Sequence, residues 1–171
     1  MIYEPAEDTY LMKEVLKKNF SLKDKKVLEI GFGSGYILEF LKDNRFKNLI
    51  GVDINPEAVN AGKNKNLSVF ESDLFSNIEG KFDCIIFNPP YLPEDQLEDE
   101  ESSVATTGGK IGSEITNRFL KNAKSHLTSN GKIFLLISNL TKGINWNNYD
   151  KKLIAEKKLF FEKLEVWELT I

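Results

Sequence analysis

At 171 residues, with 41% hydrophobic and 29% charged side chains, the chain has the size and balance of one globular domain with its own core, spanning 1–171. A formal net charge of -3 lacks the basic excess that phosphate neutralisation demands, and the single cysteine, Cys84, excludes an intrachain disulfide and a cysteine-based zinc site. No apolar run reaches membrane-spanning length and Met1-Ile2-Tyr3-Glu4 has neither region of a signal peptide, so a cytoplasmic protein without membrane contact is expected.

Residues 5 to 19 read as a helix: Pro5 suits the first turn, Glu7 and Asp8 favour the positive end, and Leu11, Val15 and Leu16 form an apolar stripe. Lys26 to Ile30 is a short strand entering the turn Gly31-Phe32-Gly33-Ser34-Gly35, and a helix follows with Ile37, Leu38 and Leu41 on one face. Leu49 to Asp53 is a second strand, and Asn55-Pro56-Glu57 opens the next helix with a cap, a first-turn proline and an acid. Leu67 to Phe70 is a third, edge strand. Phe82 to Phe87 is a fourth, with Cys84 a small core residue inside it.

From Leu92 to about Gly112 the chain is polar, with acids from Glu94 to Glu101, and reads as a long loop with a solvated face; a fence for a basic protein substrate is its sharper reading. Ser113 is placed to cap a helix carrying Ile115, Phe119, Leu120 and Ala123, near whose end His126 reads as a surface residue. Asn130-Gly131 marks a turn before the strand Ile133 to Ile137. A link from Lys142 to Asn148 then leads to weakly marked strands, 152–160 and 164–169, compatible with a hairpin. Strands alternating with helices predict an α/β fold with a parallel sheet covered on both faces.

The conspicuous polar residues all fall at carboxyl ends of strands, where such sheets bind ligands: Glu29 and Gly31, Asp53, Asp73 and Asn88. The glycine turn serves either close approach of a ligand or a tight strand-to-helix connection, and Tyr36 at the third glycine position departs from the dinucleotide fingerprint. Asp53, about 20 residues on, can accept both hydroxyls of a ribose. Together these two features favour a nucleoside-bearing cofactor. Asp73-Leu74 suits either an adenine amine and ring or a simple turn. In Asn88-Pro89-Pro90-Tyr91 the prolines stop the strand and stiffen its end, presenting the Asn88 side-chain carbonyl, the Pro89 backbone carbonyl and an aromatic face. Two acceptors beside a flat ring suit a planar group bearing an NH2.

Glu29 to Gly35, Asp53, Asp73 and Asn88 to Tyr91 resemble the motifs of class I S-adenosylmethionine-dependent methyltransferases, in the branch that methylates planar amide or exocyclic amine nitrogens. The opening Tyr3 to Thr9, and Gly108 to Glu114 leading into Arg118-Phe119, resemble the short HemK-type glutamine methyltransferases of archaea and eukaryotes, which modify the Gly-Gly-Gln loop of class I release factors. The similarity runs from residue 1 to about 140, without the helical N-terminal domain of the bacterial relatives. Phe32 stands where a small residue is common, the link after Ile137 is short, and the last two strands match poorly.

The resemblance implies a Rossmann-like, mostly parallel seven-stranded sheet with an antiparallel C-terminal strand. It implies S-adenosylmethionine as cofactor: Glu29, Gly31, Gly33 and Gly35 at the methionine part, Asp53 at the ribose, Asp73 and Leu74 at the adenine, Ile54 also in the cofactor site, and Thr9 closing over the site. Asn88, at the cofactor's edge, and Pro89 would grip the amide, with Tyr91 against its plane. A class I release factor would be the protein substrate, and a small zinc-binding activator would dock near Val69 and Phe70. A nucleic-acid amine methyltransferase is the alternative, opposed by the acidic balance. A non-catalytic cofactor-binding scaffold is a further one, opposed by the intact motifs. A nicotinamide oxidoreductase is disfavoured by Tyr36.

Overall fold

The computed structural model describes residues 2–90 and 112–171. Tyr91 and the predicted loop from Leu92, up to its last residue Gly112, lie outside the described residues.

Among the described residues seven strands form one sheet: β1 (Lys26–Ile30), β2 (Asn48–Asp53), β3 (Val69–Glu71), β4 (Phe82–Phe87), β5 (Leu127–Ser138), β6 (Asp150–Lys158) and β7 (Lys163–Thr170), in the order β3-β2-β1-β4-β5-β7-β6. Neighbours from β3 to β5 pair in parallel, and β7 runs antiparallel to both β5 and β6. The chain leaves β1 towards β2 and returns on the other side as β4. That reversal opens a crevice at the carboxyl ends of β1 and β4, where such sheets bind ligands.

Side-chain alternation divides the buried strands between two faces. Val27, Cys84, Ile86, Phe134 and Leu136 meet α1 (Glu7–Lys17) through Met12, Val15 and Leu16, and α2 (Tyr36–Asp43) through Ile37 and Leu41. The helix α3 (Pro56–Asn64) packs Ala58 and Val59 with Phe32, Leu38 and Val69. On the opposite face Leu28, Ile30, Ile85, Phe87, Ile133 and Leu135 meet α4 (Glu114–Ala123) through Phe119, Leu120 and Ala123. Phe119 is sandwiched there between Phe75 and Phe87, with ring centroids 5.4 and 4.3 Å away. The predicted strands and helices are therefore present, including the closing hairpin. Asn55 caps α3, its side chain accepting from the Glu57 N–H at 2.9 Å.

Four local expectations change. Pro5 lies before α1, because Ala6 occupies the cap position and the Thr9 hydroxyl reaches back to the Ala6 N–H. Ser113 stands at the cap of α4, yet its hydroxyl makes no capping bond and is buried without a partner among the described residues. The turn predicted at Asn130-Gly131 is a bulge within β5: Phe82 pairs with Leu127, and Cys84 with Lys132. His126 is half-buried, its ring stacked on Phe75 at 4.6 Å and its Nδ1 3.1 Å from the Gly80 carbonyl.

Cys84 is buried, and burial pushes its thiol up to about 12, as suits a core residue. Gly51, in β2, illustrates packing overriding strand propensity. A Cβ there would overlap Leu38 Cδ1 and lie 3.1 Å from Val69 Cγ1 and 3.2 Å from Phe32 Cδ1. Gly51→Val, favourable by β propensity alone, is expected to cost about 1–3 kcal/mol by overpacking. Thermal denaturation should show the midpoint falling by several degrees; an unchanged midpoint would show that the α2–β2 contact yields freely.

Candidate active site

A cavity of about 390 Å³ opens at the carboxyl ends of β1 to β4. Its lining brings together Thr9, Glu29, Gly31, Gly33, Asp53, Ile54, Asp73, Leu74, Asn88 and Pro89, contributed by four strand ends and α1. The volume is that of a small-molecule cofactor site. Gly35 is not in the lining. It sits behind the turn as the cap residue of α2, at φ 81°. Tyr91 lies outside the described residues.

The glycine turn shapes one wall. Gly31 and Gly33 have φ of 65° and 54°, and a Cβ on Gly33 would come within 3.2 Å of the Tyr3 carbonyl. That carbonyl accepts the Ser34 N–H at 3.2 Å, so residues ahead of α1 lie across the turn. The Gly33 N–H donates to Asp53 Oδ2 and the Asn55 N–H to Oδ1, both at 2.9 Å. The Asp53 carboxylate is thereby held in one orientation. Burial raises its pKa, opposed by those backbone donors.

Glu29 is the penultimate residue of β1. The side chain is buried, and Oε2 has no hydrogen-bond partner among the described residues. Burial first, and the nearby Asp53 charge second, hold its carboxyl well above the usual carboxylate range. Such a group awaits a cation or donor, since an unpaired buried carboxyl is otherwise a standing cost.

After β3 the chain makes a locked turn. The Ser72 hydroxyl donates to the Leu74 carbonyl at 2.9 Å and accepts the Asn77 N–H at 3.0 Å. Leu74 is held at φ 51°, in the left-handed region that favours glycine, and its side chain is buried against the cavity. Asp73 is exposed, and one carboxylate oxygen is taken by Arg118 of α4 at 2.7 Å. Ile54 remains 54% exposed at the lip, an apolar surface of the kind a flat ring would cover.

At the end of β4, Asn88 donates Nδ2–H to Asp8 Oδ2 at 3.0 Å, while its Oδ1 is buried with no partner among the described residues. Sequence reasoning missed Asp8, taking it for an acid at a helix start. It is 2% exposed and also accepts from the Tyr3 hydroxyl at 2.7 Å and the Thr9 N–H at 2.6 Å. Ser72 was missed as well, and Arg118, named only within the resemblance, was given no role; its pairing with Asp73 depends on the packing of α4. Among the described residues no group of three or more His, Cys, Asp or Glu is placed to hold a metal ion.

A parallel sheet closed by one antiparallel strand, with a carboxylate-lined crevice at its switch point, defines a class I methyltransferase architecture. The sequence profile of the methyltransferase small domain matches residues 7–146, and the chain belongs to that family. It is 42% identical to a protein of Methanocaldococcus jannaschii provisionally named protein N5-glutamine methyltransferase, over 98% of this chain and 92% of that one. It is 30% identical to the Schizosaccharomyces pombe eRF1 methyltransferase catalytic subunit mtq2, over 79% of this chain and 71% of that one. Among solved structures it matches a chain of the E. cuniculi Mtq2–Trm112 complex, responsible for methylation of the termination factor eRF1. The TM-score is 0.80 and the identity 25%, over 99% of this chain and 98% of that one.

Proposed function

We propose that the protein is a glutamine N5-methyltransferase that transfers a methyl group from S-adenosylmethionine to the Gln of the Gly-Gly-Gln loop of a class I release factor. The observation that carries the reading is Asn88 Oδ1, a buried amide oxygen with no partner among the described residues, at the wall of a cofactor-sized cavity. The identity of the protein substrate is supported by the similarity to the eRF1 methyltransferase subunit.

The residues fit the cofactor. Glu29, whose Oε2 has no partner among the described residues, would hold its amino group, Asp53 the ribose hydroxyls, and Ile54, Asp73 and Leu74 the adenine, with Thr9 of α1 also lining the cavity. When bound, it supplies a methyl already activated by sulfonium. The chain must then hold an amide nitrogen in line with that methyl. An amide nitrogen is a poor nucleophile because its lone pair is delocalised into the carbonyl. Accepting its two N–H bonds at Asn88 Oδ1 and the Pro89 carbonyl would turn the lone pair towards the methyl and stabilise the positive charge developing on nitrogen. Tyr91 would pack against the amide plane.

We infer further that a small zinc-binding activator docks on β3. Among the described residues that strand is the sheet edge nearest the cavity, paired only with β2. Val69 is buried and Phe70 is packed inward, so the strand offers a partner its main chain rather than those side chains. The opposite edge, β6, carries Lys151, Lys152, Lys157 and Lys158, the kind of charged fringe that discourages strand pairing. Isolated chain is expected to transfer at least tenfold more slowly than chain co-expressed with such a partner. Full activity of a monodisperse preparation alone would remove the activator from the proposal.

The reading is tested by supplying labelled S-adenosylmethionine with release factor, tRNA or DNA. Label on the Gly-Gly-Gln glutamine is expected. Label confined to nucleic acid would refute it.

A further inference from the structure

We propose that Asp8 is a positioning residue which decides which end of the Asn88 amide faces the cavity. The inference rests on the reading of Asn88 as acceptor for the substrate amine. A side-chain amide has a donor end and an acceptor end of nearly equal shape, so packing alone does not choose between them. Only one end suits an incoming NH2. A flipped Asn88 would present its own N–H bonds to the substrate's, and the site would repel what it is built to hold.

Asp8 removes the ambiguity. Its Oδ2 sits 3.0 Å from Asn88 Nδ2 and accepts the amino end, as suits an acceptor group. The carboxylate is itself fixed: Oδ1 accepts the Thr9 N–H at 2.6 Å, and Oδ2 accepts the Tyr3 hydroxyl at 2.7 Å. It is 2% exposed, so water competes little for these bonds. Asn88 Oδ1 is consequently left without a partner among the described residues. Tyr3 ties the arrangement to the cofactor side, since its carbonyl accepts the Ser34 N–H of the glycine turn at 3.2 Å. One segment ahead of and within the first turn of α1 thus spans the methionine wall and sets the acceptor that faces it.

The polarity of the contact can be reversed, which gives the test. Asp8→Asn keeps shape but offers N–H to N–H, and is expected to lower kcat at least 100-fold with cofactor Kd changed less than threefold. Asn88→Asp alone sets two carboxylates against each other and should be equally poor. Together, D8N/N88D restores a donor–acceptor pair. The new amide at position 8 can still accept the Thr9 N–H through oxygen while donating to the new carboxylate at 88, and the Tyr3 hydroxyl can accept instead of donate. The double variant should recover at least tenfold over either single variant. A merely structural tie between α1 and β4 would instead lower the melting midpoint and cofactor affinity of the single variants together with kcat; that pattern, or a double variant no better than the worse single one, would overturn the proposal.

A second measurement needs no substrate. In labelled wild-type protein the Asn88 side-chain amide protons should exchange slowly with solvent, and Asp8→Ala should speed that exchange at least tenfold. Unchanged exchange would also overturn the clamp. A wild-type chain with a protected Asn88 amide that methylates no release factor would sink the substrate assignment and leave the clamp supported.

Discussion

Asn88→Ala is expected to reduce methyl transfer by about 10³-fold or more while leaving cofactor affinity within about threefold. Two losses combine. One is the acceptor that meets positive charge developing on the substrate nitrogen; deleting a single preorganised group of this kind costs about 10²–10³ in rate. The other is orientation, because the Pro89 carbonyl alone leaves the amide free to rotate away from the line of attack. Cofactor affinity should hold because Glu29 and the doubly fixed Asp53 are untouched. Stability should barely move. Removing a buried unpaired oxygen relieves a cost, while Asp8 loses one of its donors, and these act in opposite directions. Single-turnover transfer of labelled methyl, read beside equilibrium dialysis of the cofactor, checks the expectation. Equal collapse of transfer and binding would mean that Asn88 belongs to the cofactor site rather than to the acceptor site.

The parts of the site legible in the sequence are those where a strand and its ending share one short stretch. Asp53 and Asn88 could be placed because each closes an apolar run, and proline or glycine marks where the sheet stops. Asp8 could not. Its locally visible feature, an acid at a helix start, applies equally to Glu7, which points outward and pairs with Lys157. What separates the two is the contact to Asn88, 80 residues away, and that exists only once α1 lies on the sheet. The same limit hid the Arg118–Asp73 pair. In the fold, β6 was faint for another reason. As an exposed edge strand it has little apolar alternation, and its place is set by the ladder with β7. Gly131 reads as a turn residue because bulges and turns ask for the same backbone freedom. Here the Phe82 carbonyl, 2.9 Å from where its Cβ would stand, demands the small residue.

Glu29→Gln should make the ligand-free chain more stable and a poorer binder, and the two effects share one cause. Burial, reinforced by the Asp53 charge, holds the Glu29 carboxyl well above the usual carboxylate range. Between its unfolded and folded values the native chain therefore binds more protons than the unfolded one, and stability falls as pH rises through that window. Above the window the whole cost remains. Glutamine has no such charge to bury, so the variant's melting midpoint should exceed wild type at neutral pH. Each kcal/mol recovered is worth about 2–4 °C in a chain of this size. The gain should shrink as pH falls towards the ordinary carboxylate value, where both states of the wild type are protonated. Binding runs the other way. The amino group of the cofactor favours an ionised Glu29, so wild-type affinity should rise with pH through the same window as binding releases a proton. Glu29→Gln should bind at least tenfold more weakly at neutral pH, with that slope removed. Titration calorimetry in two buffers of different ionisation enthalpy would count the proton directly. If the variant melts no higher than wild type and keeps the same pH dependence of binding, the unpartnered carboxyl is not the cofactor's counter-charge, and the cation it awaits lies elsewhere in the reaction.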